Sequence, residues 1–392
     1  MLNGPFSPWP SFTSEEADAV SNVLLSNKVN YWTGQECREF EYEFAGFTGA
    51  EYAIAVANGT VALDLALKAL RIGEGDEVIV TPRTFLASVS SIVNAGAVPV
   101  FADVDPDSQN ITPETVRAVI SARTRAIVCV HLAGWPCDML GFMALAEEKG
   151  VYIIEDCAQA HGATYDGRSV GSIGHVGCWS FCQDKIMTTG GEGGMVTTND
   201  RDLWSRMWSY KDHGKSWEAV YEREHPPGFR WLHESFGTNW RMTEMQGVIG
   251  RIQLKRMADW KAQRQANAER IWKCARSLTG LRAPQIPANM EHAAYKCYVF
   301  VEPDALIDGW SRDRIINEVV ASGVPCFSGS CSEVYREKAF DDTELRPKTS
   351  LPVAQELGET SLMFLVHPTL TTAEIEKTCY VLQAVMKQAT GN

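Results

Sequence analysis

The sequence predicts an α/β fold in which helices cover a large, mixed but mainly parallel sheet, followed by a smaller α+β domain. Three observations support this prediction. Short β-rich runs alternate with helical patterns from residue 50 to about 200, long helical periodicity follows, and shorter strands and helices return beyond Pro284. A chain of 392 residues that is 45% hydrophobic is also long enough for two or three domains.

The alternating region predicts crossover units. The predicted strands are 52–57, 77–80, 98–102, 126–130, 151–154, 176–181 and 195–198, and the predicted helices are 60–70, 85–95, 113–120 and 139–149. Strands separated by helices in this way are typical of a parallel sheet. Thr112 followed by Pro113 is a typical helix start, because threonine caps the first turn and proline tolerates its first position.

The second half of the chain has a different pattern. Residues 242–278 predict one or two long helices, and strands 296–301 and 362–365 with helices 311–322 and 372–387 follow. We therefore predict that 1–283 form an N-terminal arm, a large ligand-binding domain and long connecting helices, and that 284–392 form a small α+β domain. The first residues, with a helix near Ser14–Leu25, are expected to pack on the small domain or on a neighbouring subunit. Gly214 to Gly237 lacks periodicity, and a loop of that length is usually functional or disordered.

Composition disfavours several classes of protein. The formal net charge is −13 without a Lys/Arg run, which disfavours nucleic-acid binding. We find no signal-peptide pattern, and the apolar runs are too short to cross a membrane. The eleven cysteines are scattered and the histidines lack zinc-ligand spacing, so we expect reduced cysteines, no metal site and a cytoplasmic protein.

Asp156 ends the predicted strand in the segment Ile153-Ile-Glu-Asp-Cys-Ala-Gln159. Ligands of open α/β sheets bind just beyond the carboxyl ends of strands. An aspartate there can keep a pyridinium nitrogen protonated. It can equally be a helix cap or a ligand of ribose or magnesium.

Lys185 lies between a strand-like run and the glycine-rich turn Gly190-Gly-Glu-Gly-Gly194. Glycines allow the backbone to approach a ligand closely. A desolvated lysine on such a loop suits imine chemistry, because desolvation lowers the pKa of the amine. The alternative is a solvated surface lysine beside a flexible turn.

Two further segments suggest contacts to a phosphorylated, planar ligand. Gly59 and Thr60 follow a strand and begin a helix, which is a natural phosphate seat or a simple N-cap. Phe85 follows the next strand and can stack on a planar ring or merely begin a core helix.

Taken in this order, the motifs resemble those of the DegT/DnrJ/EryC1/StrS family of pyridoxal-phosphate (PLP) aminotransferases. The resemblance extends from Trp32-Thr-Gly34 to Leu365-Val-His367-Pro-Thr-Leu-Thr371. Its most specific segments are Glu155-Asp-Cys-Ala-Gln159, Ser180-Phe with Lys185 and its glycine turn, and Asn239-Trp-Arg-Met-Thr-Glu-Met-Gln246. It implies the aspartate-aminotransferase-like (type I PLP) fold.

The resemblance also implies roles for individual residues. Catalysis is assigned to Lys185, which forms the covalent link to PLP and then moves the substrate proton, and to Asp156, which pairs with the pyridine nitrogen. The implied cofactor contacts are Gln159 near the ring hydroxyl, Phe85 stacked on the ring, Gly59, Thr60 and Ser180 around the phosphate, and Asn239 with Arg241 reaching that phosphate from the partner subunit. A homodimer with shared active sites is therefore expected.

The implied activity is amino transfer from glutamate to a keto-sugar on a nucleotide, for which we expect a UDP-linked 4-keto-6-deoxyhexose. A cyclitol ketone or an aminobenzoate-type precursor is the alternative acceptor. The branch of the family that dehydrates sugars has histidine in place of Lys185, which favours transamination here. A regulatory protein of this fold has no need to retain Lys185 and Asp156 together. Two departures from the family are Cys182, where histidine is frequent, and 324–335, which lacks a His-Tyr-Pro run.

Overall fold

The computed structural model describes residues 5–225, 227–228 and 230–391, which contain three sheets surrounded by helices. The strands are β1 Tyr52–Val56, β2 Glu77–Val80, β3 Val98–Phe101, β4 Thr124–Val130, β5 Tyr152–Asp156, β6 Thr164–Tyr165, β7 Arg168–Ser169, β8 Val176–Ser180, β9 Gly194–Thr198, β10 Leu281–Arg282, β11 Met290–Glu291, β12 Cys297–Val301, β13 Cys326–Phe327 and β14 Ser361–Phe364. The helices are α1 Ser14–Leu25, α2 Glu36–Thr48, α3 Gly59–Ala69, α4 Ala87–Asn94, α5 Pro113–Arg117, α6 Met139–Lys149, α7 Arg201–Lys211, α8 Trp217–Tyr221, α9 Glu244–Lys255, α10 Met257–Arg276, α11 Arg312–Ala321, α12 Pro352–Thr360 and α13 Thr372–Thr390.

The large sheet has seven strands in the order β1-β9-β8-β5-β4-β2-β3. The four neighbouring pairs from β8 to β3 are parallel, whereas β9 runs antiparallel to both β1 and β8. The sheet is therefore mixed and mainly parallel, which confirms the predicted fold class.

Helices bury both faces of this sheet. On β2, Val78 and Val80 pack into the same apolar cluster as Leu63 of α3. Ile79 points to the opposite face and packs with Phe142 of α6. Because alternate side chains point to opposite faces and both faces are covered, the strand is a continuous apolar run, as the sequence shows.

Two smaller antiparallel sheets follow the large one. Strands β10-β12-β14-β13 form one sheet, whose apolar face packs on α10, α11 and α13, and β11 joins β6 and β7 in the other. The segment before α1 reaches this small-sheet region, where Phe6 joins its apolar cluster and Ser7 Oγ donates to Glu374 at 3.1 Å. Helix α1 itself packs on α9. Contact with the small domain was expected of the N-terminal arm, and the residues ahead of α1 make it.

Several elements differ from the prediction. The helix expected over 85–95 begins at Ala87, so Phe85 lies in the preceding loop. Residues 242–278, predicted as one or two long helices, form two, which are separated at Arg256. Helix α8 lies inside the stretch predicted as a loop. Helices α2, α7 and α12 were not predicted. No helix in the described ranges has the length and apolar composition needed to cross a bilayer.

Candidate active site

A cavity of about 760 Å³ lies where several strands of the large sheet end, and residues from the small-sheet region complete its wall. This volume is typical of a site for a cofactor or small substrate. Seven of the nine predicted site residues line it: Gly59, Thr60, Phe85, Asp156, Gln159, Ser180 and Lys185. The other two, Asn239 and Arg241, do not.

One end of the cavity is formed by the N-terminus of α3. Asn58 is the N-cap, and its side chain accepts the N–H of Val61 at 2.9 Å. Because the cap is Asn58, the first-turn N–H groups of Gly59 and Thr60 have no partner within the helix. A Cβ on Gly59 would lie 2.5 Å from Ser180 Cβ, so glycine allows the helix to approach the end of β8. The two N–H groups and the Ser180 hydroxyl therefore form an anion seat of phosphate type.

Asp156 is the last residue of β5 and is buried. Its Oδ2 accepts the Ser88 hydroxyl at 2.8 Å, and that hydroxyl also lies 2.8 Å from Thr84 Oγ1. Its Oδ1 accepts the N–H of Ala158 at 3.1 Å. The carboxylate is thereby fixed from two sides at the floor of the cavity, where it can hold a protonated nitrogen of a ligand.

Gln159 and Phe85 differ in how firmly the surrounding protein holds them. Gln159 is buried, and its Oε1 accepts the N–H of Ala133 at 2.8 Å. Phe85 is 72% exposed and is free to cover a ring in the cavity. The structure thus excludes the interpretation of Phe85 as a residue that begins a core helix.

Lys185 lies in the loop between β8 and β9. Its side chain is only 16% exposed, and its Nζ lies 3.9 Å from Asp184 Oδ1 and 5.1 Å from the ring centroid of Tyr295. The indole N–H of Trp9 donates to the Lys185 carbonyl at 2.9 Å. Lys185 is therefore a mostly buried residue of the cavity wall and not a solvated surface lysine.

The glycine turn that follows Lys185 requires its glycines. Gly190 and Gly191 have φ values of 88° and 122°, a region that favours glycine. This turn returns the chain to β9, so that the lysine loop closes over the ends of β8 and β9.

Charges near Lys185 shift one another's ionisation. Burial alone would raise the pKa of Asp184, but Lys185, the Tyr295 hydroxyl and Lys296 lower it below its usual value. Burial lowers the pKa of Lys296 to about 8, against the opposing effect of Asp184 and with the help of Arg264 and Lys185. The wall beside Lys185 is thus cationic and partly desolvated.

Sequence reasoning missed several lining residues. Ser88 follows Phe85 by three residues, and its spacing of four residues from Thr84 was a usable signal. Tyr295, Lys296 and Tyr298 gave no such signal, because they reach the cavity from the start of β12, more than 100 residues beyond Lys185.

Glu155 supports the site from the other face of β5. Its buried carboxylate accepts the N–H groups of Gly171, Ile173 and Gly174 at 2.6–2.9 Å and lies 3.0 Å from His131 Nε2. The Glu155 carboxylate forms a group of potential metal ligands with His131 and Cys157, and the ligand atoms lie within 4.8 Å of one another. Because four N–H donors already satisfy the Glu155 carboxylate, we interpret the group as structural, fixing the end of β5.

The segment containing Asn239 and Arg241 runs beside the end of β1. The Trp240 carbonyl accepts the N–H of Ala57 at 2.9 Å, and Arg241 Nη1 lies 2.6 Å from Asp212 Oδ1. Both residues lie outside the cavity of their own chain. Their role at a partner's phosphate seat stays a prediction.

The fold and the cavity together define a class of protein, the PLP-dependent enzymes of type I fold. The cavity residues fit this cofactor, since they combine an anion seat, a buried carboxylate for the ring nitrogen and a held lysine. The chain belongs to the DegT/DnrJ/EryC1/StrS aminotransferase family, whose sequence profile matches residues 10–383.

Similar proteins agree with this assignment. The UDP-N-acetyl-3-dehydro-α-D-glucosamine 3-aminotransferase of Acidithiobacillus ferrooxidans is 36% identical over 98% of this chain and 96% of its own. The crystal structure of an aminotransferase from Psychrobacter cryohalolentis is 66% identical, with a TM-score of 0.97 over 99% of this chain and 100% of that one. A Streptococcus pneumoniae protein solved in its PMP form, the amino form of the cofactor, is 25% identical, with a TM-score of 0.87 over 98% and 100%. The protein is therefore a PLP-dependent aminotransferase.

Proposed function

We propose that the protein transfers the amino group of glutamate to a keto-hexose carried on UDP, as a step in making amino sugars for a surface polysaccharide. The observation that supports this most directly is the cavity, which joins Lys185, Asp156 and an anion seat in a volume with room for a substrate beside the cofactor. The resemblance to the family implies a 4-keto-6-deoxy acceptor. The name of the Acidithiobacillus relative favours a 3-keto acceptor as the second candidate.

We assign the following roles within this proposal. When bound, PLP supplies the electron sink that makes the carbon bearing the amine acidic. Lys185 Nζ would take the proton from that carbon as the base, and Asp156 would keep the ring nitrogen protonated. Gly59, Thr60 and Ser180 hold the phosphate.

The two substrates use one site in turn. Glutamate delivers nitrogen and leaves as 2-oxoglutarate before the keto-sugar enters, so the kinetics are ping-pong. Phe85 and Gln159 position the ring, Phe85 by stacking and Gln159 beside the ring hydroxyl.

The site is proposed to be complete only in a homodimer, with Asn239 and Arg241 of each chain beside the phosphate of the other. Mixing inactive Lys185→Ala and Asn239→Asp subunits should restore part of the activity, because one of the two sites in a hybrid dimer contains neither lesion. Hybrids that form but stay inactive would contradict shared sites.

The central experiment is chemical labelling. Borohydride should abolish the yellow absorbance of the purified protein and fix the cofactor on Lys185 in a peptide map. Labelling of another lysine with Lys185 unmodified would overturn the assignment. A panel of UDP-linked 4-keto and 3-keto sugars and cyclitol ketones then identifies the acceptor; amination of cyclitol ketones alone would refute the sugar proposal.

A further inference from the structure

We propose that Lys296 binds a carboxylate of the substrate in this cavity, namely the α-carboxylate of the amino donor. This inference rests on the glutamate half of the proposed function. It concerns a residue outside the predicted site, in the wall that comes from the start of β12.

Lys296 lies beside the reacting lysine. The Nζ atoms of Lys185 and Lys296 lie 5.1 and 4.7 Å from the centroid of the same ring, that of Tyr295. An amino acid that donates its nitrogen at Lys185 carries its α-carboxylate on the carbon next to that nitrogen. Because both ammonium groups contact one ring and both residues line the same cavity, we place that carboxylate at Lys296.

The protein provides little negative charge to balance the positive charges of Lys296 and Arg264. In the described part of the chain, Lys296 and Arg264 have no carboxylate in ion-pair contact. Arg264 is buried, its Nε and Nη2 have no hydrogen-bond partner, and its Nη1 reaches only the Tyr295 carbonyl at 3.5 Å. The guanidinium also lies over the Trp9 ring at 4.9 Å, but a buried guanidinium without a carboxylate is costly unless an anion binds nearby.

The acidic residues that line the cavity form no ion pair with Lys296. Asp156 accepts hydrogen bonds from Ser88 and Ala158, and Asp184 accepts the Tyr295 hydroxyl and lies near Lys185. Glu192 is exposed. Asp184 acts on the pKa of Lys296 without an ion-pair contact, so the ammonium keeps room for a carboxylate from solution, which would form a charge-assisted hydrogen bond with it.

The test compares Lys296→Met, Lys296→Arg and Lys387→Met in the holoenzyme. Lys387 is a matched control because it is an exposed lysine of α13. Glutarate, which has carboxylates but no amino or keto group, is titrated by calorimetry, so this readout needs no turnover. We expect its Kd to rise at least about tenfold in Lys296→Met, less in Lys296→Arg and not at all in Lys387→Met.

Single-turnover half-reactions then identify the source of the carboxylate. We expect Lys296→Met to raise the half-saturating glutamate concentration and to leave that of the UDP-sugar unchanged. A defect in the sugar half-reaction alone would assign the carboxylate to an acidic acceptor and overturn the donor assignment. Unchanged glutarate binding would overturn the site altogether. A wild-type enzyme that reacts with glutamate but aminates no UDP-sugar would instead refute the proposed acceptor.

Discussion

Gly59→Ala tests whether the N-terminus of α3 is the phosphate seat. The new Cβ would lie 2.5 Å from Ser180 Cβ and 3.1 Å from Ser180 Cα, whereas carbon atoms in contact are normally about 3.5–4.0 Å apart. Ser180 cannot retreat, because it pairs with Gly194 in the sheet. The helix N-terminus must therefore move, together with the N–H groups that it presents.

The change in the free energy of unfolding of Gly59→Ala is the sum of two opposing effects. Overpacking typically lowers the free energy of unfolding by about 1–3 kcal/mol. Alanine in place of glycine in a helix raises it by at most about 1 kcal/mol. We expect a net loss of about 1–2 kcal/mol in the free energy of unfolding, measured with urea, and a rise of about tenfold or more in the Kd of PLP for the apoenzyme.

Gly46→Ala is the matched control. Gly46 is an exposed glycine inside α2, and a Cβ there would meet no atom within 4 Å. This variant should be up to about 1 kcal/mol more stable and bind PLP like the wild type. Wild-type PLP affinity in Gly59→Ala would refute the phosphate seat, even if stability fell as expected.

Three further predictions concern the site and its support. Asp156→Asn retains the shape but loses the charge, so steady-state turnover should fall about a hundredfold, roughly 3 kcal/mol in the barrier, and near-normal turnover would leave the aspartate only a structural role. Phe85→Ala should leave unfolding within about 0.5 kcal/mol because the ring is 72% exposed, yet PLP titration should show weaker binding; equal affinity would contradict stacking. Glu155→Gln should cost about 3 kcal/mol in urea unfolding at pH 7, since a buried acceptor of four N–H groups loses its charge. Burial opposes ionisation of Glu155, but His131 and backbone N–H groups lower its pKa, so the difference from wild type should be constant between about pH 5 and pH 6 and shrink as pH falls below about 4; a difference that grows in acid would contradict this sign.

The large sheet and one side of the cavity were predictable because their signals are local. Val78-Ile-Val80 is apolar without alternation because both faces of its sheet are covered, and that pattern is present in the sequence itself. Asp156 was expected at a strand end and is the last residue of β5. Since parallel strands place their carboxyl ends at one edge, residues after different strands were expected to meet there.

Local patterns fail where a contact joins distant segments. Helix α2 is a different case: Cys37, Phe40 and Phe44 have helical spacing and are fully buried, so its signal was local and was overlooked. The pair of Arg241 with Asp212 joins two loops that have no periodicity. Sequence spacing contains no information about such pairs.

The sequence by itself determined the mainly parallel sheet, the strand end at Asp156 and the lysine loop, because hydrophobic period and glycine turns are properties of neighbouring residues. The tertiary structure alone decided that Tyr295 and Lys296 complete the wall beside Lys185. Their approach depends on how the strand β12 packs against the large sheet, which is a sum of many weak contacts between segments far apart in the chain.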